Sequence, residues 1–95
     1  MLTSKQRASL RSLANSEVTI VHIGKGGINE NIVKQADDAL KARELIKCSV
    51  LEASPLTAGE AAAELTDLTK SEAVQIIGSK FVLFRRNHAN PRIKI

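Results

Sequence analysis

Val18-Thr19-Ile20-Val21-His22-Ile23, followed at once by Gly24-Lys25-Gly26-Gly27, is the stretch on which the fold turns. A β-branched run with almost no polar alternation predicts a mostly buried strand. Beyond the glycines, Asn29 can cap a helix whose apolar positions Ile32, Val33, Ala36 and Leu40 share one face and which ends near Arg43. The stretch is therefore a strand-to-helix turn with three glycines and one cation. Without a Cβ, such a turn can bring backbone N–H groups very close to something outside the protein. The helix start adds a positive dipole end, and together these suit a phosphate oxygen. Lys25 supplies a full charge at the same point. Glycines also sit between strands and helices simply because the chain must turn, so the flanking sequence has to decide between the two uses.

Toward the N-terminus, Thr3 and Gln6 form a capping-box pattern, with Leu10, Leu13 and Ala14 at helical spacing behind it, predicting a first helix over about 4–14. Arg7 and Arg11 are neighbours on one side of it. Toward the C-terminus, Leu45 to Leu51 reads as a second strand in which Ile46, Cys48 and Val50 alternate with Lys47 and Ser49. Cys48 is then a small core residue. Thr57 and Glu60 repeat the capping box, and Ala61, Ala62, Leu65 and Leu68 make the buried stripe of a third helix. Ala73 to Ile77 and Phe81 to Arg86 read as two last strands joined by a Gly78-Ser79-Lys80 hairpin. Residues 1–87 form one domain, and 88–95 belong to a basic tail, poorly ordered from Asn87 onward.

The expected fold is α/β (α+β), α-β-α-β-α-β-β, with helices packed on a four-stranded mixed sheet. Right-handed crossovers place the second and third helices on one face. If the first and third strands run parallel, the Gly78-Ser79-Lys80 turn lies on the same edge of the sheet as the glycine turn and Lys80 reinforces Lys25.

Ninety-five residues suffice for one domain, and 43 % hydrophobic with 25 % charged residues describes an ordinary globular chain. Two Phe and no Trp or Tyr leave too few aromatics to read single-stranded bases by stacking. The net charge of +4 points to an anionic partner, and it is unevenly spread. Lys80, Arg85, Arg86, Arg92 and Lys94 meet no acid after residue 80, whereas Glu52 to Glu72 holds five acids against Lys70. A single cysteine excludes a disulfide framework and suits a reducing cytoplasm, and neither a signal-peptide core nor a membrane-length apolar run is present.

Catalytic motifs fail on spacing. A nucleotide-hydrolysing P-loop needs Lys followed by Ser or Thr, and Lys25 is followed by Gly26. A dinucleotide fingerprint needs a third glycine where Asn29 stands. His22 reads as a hydrogen-bonded structural histidine near the end of a buried strand, His88 lies in the tail, and two histidines without a cysteine or carboxylate cluster make no metal site. No nucleophile-base-orienter set can be assembled, so no enzyme activity and no cofactor are expected.

Four blocks in this order and spacing, Ile23-Gly24-Lys25-Gly26-Gly27-Ile28, Arg43-Glu44-Leu45-Ile46-Lys47, Gln75-Ile76-Ile77-Gly78 and Val82-Leu83-Phe84-Arg85, resemble the CRM domain (chloroplast RNA splicing and ribosome maturation). The opening Leu2-Thr3-Ser4-Lys5-Gln6-Arg7 is similar to that of its free-standing bacterial members, the YhbY-like proteins. The resemblance implies RNA binding without catalysis, a fold like the C-terminal domain of translation initiation factor three, and a KH-like GxxG loop at Gly24, Lys25, Gly26 and Gly27. It also implies a role on ribosomal RNA in precursors of the large (50S) subunit. Phe84 stands where the family often has Tyr, which removes a hydroxyl. On this reading Lys25 neutralises phosphate, and Lys80, Arg85 and Arg86, with the Arg7/Arg11 face, extend the contact. The competing reading is a protein-interaction module in which Glu60, Glu64, Asp67 and Glu72 of the third-helix region attract a basic ribosomal protein or assembly factor.

Overall fold

Among the described residues, three side-chain caps start three helices. Thr3 and Thr57 accept the amides of Gln6 and Glu60, whose side chains bond back to the threonine amides, and Asn29 accepts the amide of Ile32. They open α1 (Ser4–Ala14), α3 (Ala58–Thr69) and α2 (Glu30–Arg43) respectively. The strands are β1 (Thr19–Ile23), β2 (Leu45–Val50), β3 (Glu72–Ile77) and β4 (Lys80–Phe84), which gives the expected α-β-α-β-α-β-β order. The computed structural model describes residues 2–93; Lys94, part of the expected basic tail, lies outside them.

The four strands form one sheet in the order β1-β2-β4-β3. β1 and β2 are parallel, and β4 is antiparallel to both β2 and β3, so β1, β2 and β3 all point the same way. Their C-terminal ends therefore share one end of the sheet. Two backbone bonds stitch that end together: Leu51 N–H to Ile23 O at 2.8 Å and Val50 N–H to Ser79 O at 2.7 Å.

Both faces of the sheet are used. α2 and α3 bury Ile32, Ala36, Leu40, Ala61, Ala62 and Leu65 against Val21, Ile23, Ile46, Cys48, Phe81 and Leu83. On the other face, α1 places Leu10 and Ala14 over Leu45, Val74, Val82 and Phe84. A fully buried side chain of this size contributes about 1.5–3 kcal/mol, so the aliphatic residues with Phe81 and Phe84 carry the fold.

Three sequence expectations change here. β2 does not alternate buried and solvated positions: α1 covers Leu45 on the second face, and Ser49 on that face is buried beside His22. β1 is an edge strand covered on one face only; Val18 lies outside it and is 69 % exposed, and His22 is exposed. Leu68 is 51 % exposed, since the buried stripe of α3 runs through Ala58, Ala61, Ala62, Leu65 and Thr69.

Nor is the segment after β4 loose. Glu44, completely buried, caps α2 with φ at 65°, and its carboxylate accepts the amides of Asn87 (2.7 Å), Arg92 (2.6 Å) and Ile93 (2.8 Å). Arg86 Nη1 donates to Ile93 O at 2.7 Å, lies 3.8 Å from Glu44 and stands over the Phe84 ring. Left-handed backbone at a non-glycine residue costs roughly 1–3 kcal/mol, and these bonds hold it in place.

Candidate nucleic-acid interface

The glycine turn begins where β1 ends. Gly27 N–H donates to Gly24 O at 3.0 Å, closing a four-residue turn in which Lys25 and Gly26 are exposed and Gly27 is buried. Gly27 has φ at +65°, a conformation that disfavours any side chain. The fold needs glycine at that position. Gly24 and Gly26 are different. A Cβ added at Gly24 would meet nothing nearer than Leu51 Cδ1 at 3.7 Å, one at Gly26 nothing nearer than Asn29 Nδ2 at 3.4 Å, and neither residue has positive φ. Internal packing therefore leaves room for a methyl group at both.

α2 starts two residues beyond the turn with its N-terminus toward it, capped by Asn29. The dipole there favours an anion, although the exposed Glu30 in the first turn opposes part of that field. Lys25 makes no hydrogen bond or ion pair with the described residues, so its ammonium group is available.

Beside the turn lies an uncovered part of the sheet. Side chains alternate along a strand, so Lys80 shares the face of Val82 and Phe84, and Lys47 and Ser49, its cross-strand neighbours, share it too. α1 covers only the Leu45–Phe84 half of this face. The half nearer the glycine turn carries Lys47, Lys80, Gln75, Ile77 and His22, whose Nδ1 lies 3.1 Å from Ser49 Oγ. The strand directions put the hairpin and Lys80 at the same end of the sheet as Lys25.

Arg85 and Arg86 do not join them. They follow β4 at the opposite end of the sheet, and both guanidinium groups are used internally. Arg85 donates to Asp37 Oδ1 and Thr69 O, each at 2.7 Å, and to Asp37 O at 3.1 Å, tying α2 to α3. Arg85 beside Asp37 holds that carboxyl below the ordinary value, against the effect of burial and with help from Lys41. Burial works against the charge of Glu44, and the amides of Asn87, Arg92 and Ile93 with the charge of Arg86 outweigh it, so this carboxyl too is held below its ordinary value. The Arg7/Arg11 pair is also divided, because Arg7 donates to Ala73 O and approaches Glu72. Arg11 stays exposed.

The acids proposed as bait for a basic partner are partly committed. Glu60 closes the α3 capping box and Glu72 accepts the Leu2 amide at 3.1 Å. Cys48 is buried in the core, which pushes its thiol pKa up to about 12 and leaves it inert. Among the described residues no group of His, Cys, Asp or Glu could hold a metal ion, and no helix is long and apolar enough to cross a membrane.

Lys80 is legible in the sequence as a companion of Lys25, but nothing there singles out Glu44 or Lys47 as more than ordinary residues. Glu44 lies within a family-like block, but its partners are 43 to 49 residues away. Lys47 and Lys80 are 33 positions apart and come onto one face only through the β2–β4 register, which sets Lys47 opposite Val82 and Ser49 opposite Lys80.

Comparison with known proteins agrees with this architecture. A family model for the CRS1 / YhbY (CRM) domain matches residues 2–85. The Bacillus subtilis protein named probable RNA-binding protein YqeI is 42 % identical over 95 residues, covering 100 % of this chain and 99 % of its own. A Haemophilus influenzae protein named RNA-binding protein is 33 % identical over 84 residues, covering 88 % of this chain and 85 % of its own. The solution structure of a Staphylococcus aureus protein, described as hypothetical and as a candidate RNA binder, superposes with a TM-score of 0.82 at 49 % identity, covering 100 % of this chain and 99 % of that one.

Proposed function

From the premise that this chain belongs to the CRS1 / YhbY (CRM) domain family, we propose that it is a non-catalytic RNA-binding protein of the cytoplasm that acts on ribosomal RNA in precursors of the large (50S) subunit. Its glycine turn meets the sugar-phosphate chain. Gly24 and Gly26 let the backbone amides approach, Lys25 neutralises a phosphate, and Lys80 with Lys47 continues the positive surface along the open sheet face. Such contacts position RNA more than they read its sequence, so selectivity comes mostly from the shape of the folded RNA. Arg85 and Arg86 contribute by building the fold.

One observation carries this reading. Two glycines of the turn are bare on their outer side although the fold leaves room for a Cβ there, and the residue between them is an exposed, unpaired lysine. A ligand that approaches the main chain closely accounts for both. The names of the relatives, which call them RNA-binding proteins, supply the class of ligand.

The test is a variant carrying Lys25→Asp and Gly26→Asp. It should fold, and it should lose most of its affinity for large-subunit ribosomal RNA fragments. Binding by the wild type should weaken with salt at a log–log slope of about −0.7 for each single-strand phosphate neutralised. A folded double variant that binds as well as wild type refutes the assignment of the turn. The ribosomal part of the reading is checked separately, by crosslinking in cells and sequencing the attached RNA.

A further inference from the structure

Where α1 stops short of the sheet's far end, its last turn and the uncovered face enclose a cleft of about 130 Å³. Ala14 and Val82 give it an apolar floor, and Asn15, Lys47, Gln75 and Lys80 stand around it. None of these four side chains makes a hydrogen bond or ion pair with the described residues. The floor is buried, whereas Asn15 and Lys80 are exposed and Lys47 and Gln75 half-buried.

We propose that this cleft receives one unpaired uracil base, splayed from an RNA strand whose backbone runs over the glycine turn. The proposal rests on the RNA-binding reading above and adds to it a point of base recognition. Size comes first. A closed cavity of about 150 Å³ accepts a benzene-sized ring; this cleft is slightly smaller but open on one side, so it takes one pyrimidine ring with part of its edge projecting and has no room for a second. Polarity comes second. Two ammonium groups can only donate, and each amide can both donate and accept. Uracil presents two carbonyl oxygens for Lys47 and Lys80 and one N3–H for the carbonyl oxygen of Asn15 or Gln75. Cytosine replaces one of those carbonyls with an amino group, which would face an ammonium. Location comes third. Lys80 and the hairpin occupy the end of the sheet that holds the glycine turn, so one strand can reach both. Phe81 also borders the cleft, but it alternates with Lys80 and Val82 and its ring packs in the core on the opposite face, so the base is held by hydrogen bonds over an aliphatic floor, without stacking on an aromatic ring.

Fluorescence anisotropy with labelled oligouridylate and oligocytidylate of equal length, on wild type and on Gln75→Leu, tests this. Wild type should prefer oligouridylate by about tenfold, the discrimination expected of a good set of base-edge contacts. Gln75→Leu, whose folding is checked by its melting temperature, should bring the affinity for oligouridylate down to that for oligocytidylate. Asn15→Leu, in the exposed cap of α1, is the second variant and should act in the same direction. Equal binding of both oligomers by wild type, or a preference that survives both substitutions, overturns the base cleft and leaves the glycine-turn reading standing. Failure of wild type to bind either oligomer or ribosomal RNA overturns both.

Discussion

Gly26 and Gly27 are adjacent, and the structure assigns them opposite reasons for being glycine, so replacing each in turn by alanine separates fold from function. At Gly27 the φ of +65° puts an alanine in the left-handed region, at a cost of roughly 1–2 kcal/mol. Restricting the unfolded chain returns about 0.4–1 kcal/mol, which leaves a net loss near 1 kcal/mol. For a domain of this size that is a fall in melting temperature of about 4–8 °C. At Gly26 the new methyl meets only the far end of the Asn29 amide, at 3.4 Å. The same gain from the unfolded chain then applies with little to oppose it, so stability should match or slightly exceed wild type. Binding should behave in the opposite way. If a phosphate bonds to the backbone there, a methyl group in its path removes at least one hydrogen bond to a charged group, worth about 1.5–3 kcal/mol. That is a loss of about tenfold to a hundredfold in affinity. Thermal denaturation followed by circular dichroism reads the first quantity, and anisotropy with a ribosomal RNA fragment reads the second. A Gly26→Ala protein destabilised as much as Gly27→Ala, or one that binds RNA normally, would refute the reasoning.

Three further outcomes follow from the opposite end of the sheet, and one from the glycine turn. Glu44→Gln keeps the shape but turns an NH₂ group toward backbone donors, so it should cost about 2 kcal/mol and expose Arg86 and Arg92 to trypsin. Glu44 and Asp37 both have folded pKa values below their ordinary 4.5 and 3.8. Their contribution is therefore fully present above those values and is lost as pH falls through the lower folded ones; urea midpoints should decline below about pH 4.5, less steeply in Glu44→Gln. Arg85→Ala should lower the melting temperature by freeing Asp37 and the Thr69 carbonyl, yet leave the salt slope of RNA binding as in wild type. Lys25→Ala should reduce that slope by about 0.7, one single-strand phosphate contact.

The sequence was most informative where structure is local. Thr3 with Gln6 and Thr57 with Glu60 sit three residues apart, and their capping boxes form as the pattern predicts. The glycine turn was legible for the same reason, since strand, turn and helix cap all lie between Val18 and Asn29. Residues whose partners are distant in the chain are not legible in this way. Arg85 and Arg86 read as surface cations in the sequence because Asp37 and Ile93 come beside them only in the fold. The segment after Asn87 looked like a tail because nothing in its own composition reveals a buried carboxylate 43 residues earlier. Leu68 satisfied helical spacing, and only the packing of α3 on the sheet shows that the buried stripe passes through Leu65 and Thr69 instead. The open half-face behind Lys47 and Lys80 depends on where α1 ends relative to the strands, a tertiary fact with no sequence pattern of its own.

Titration of the ¹⁵N-labelled protein with a ribosomal RNA fragment, followed by amide chemical shifts, examines the central claim most directly. The amides of Gly24, Lys25, Gly26 and Gly27 should move first and furthest, with Lys80 behind them and those around Arg85 little changed. Shifts centred on α3 or on the Glu44 clamp, with the glycine turn silent, would contradict it.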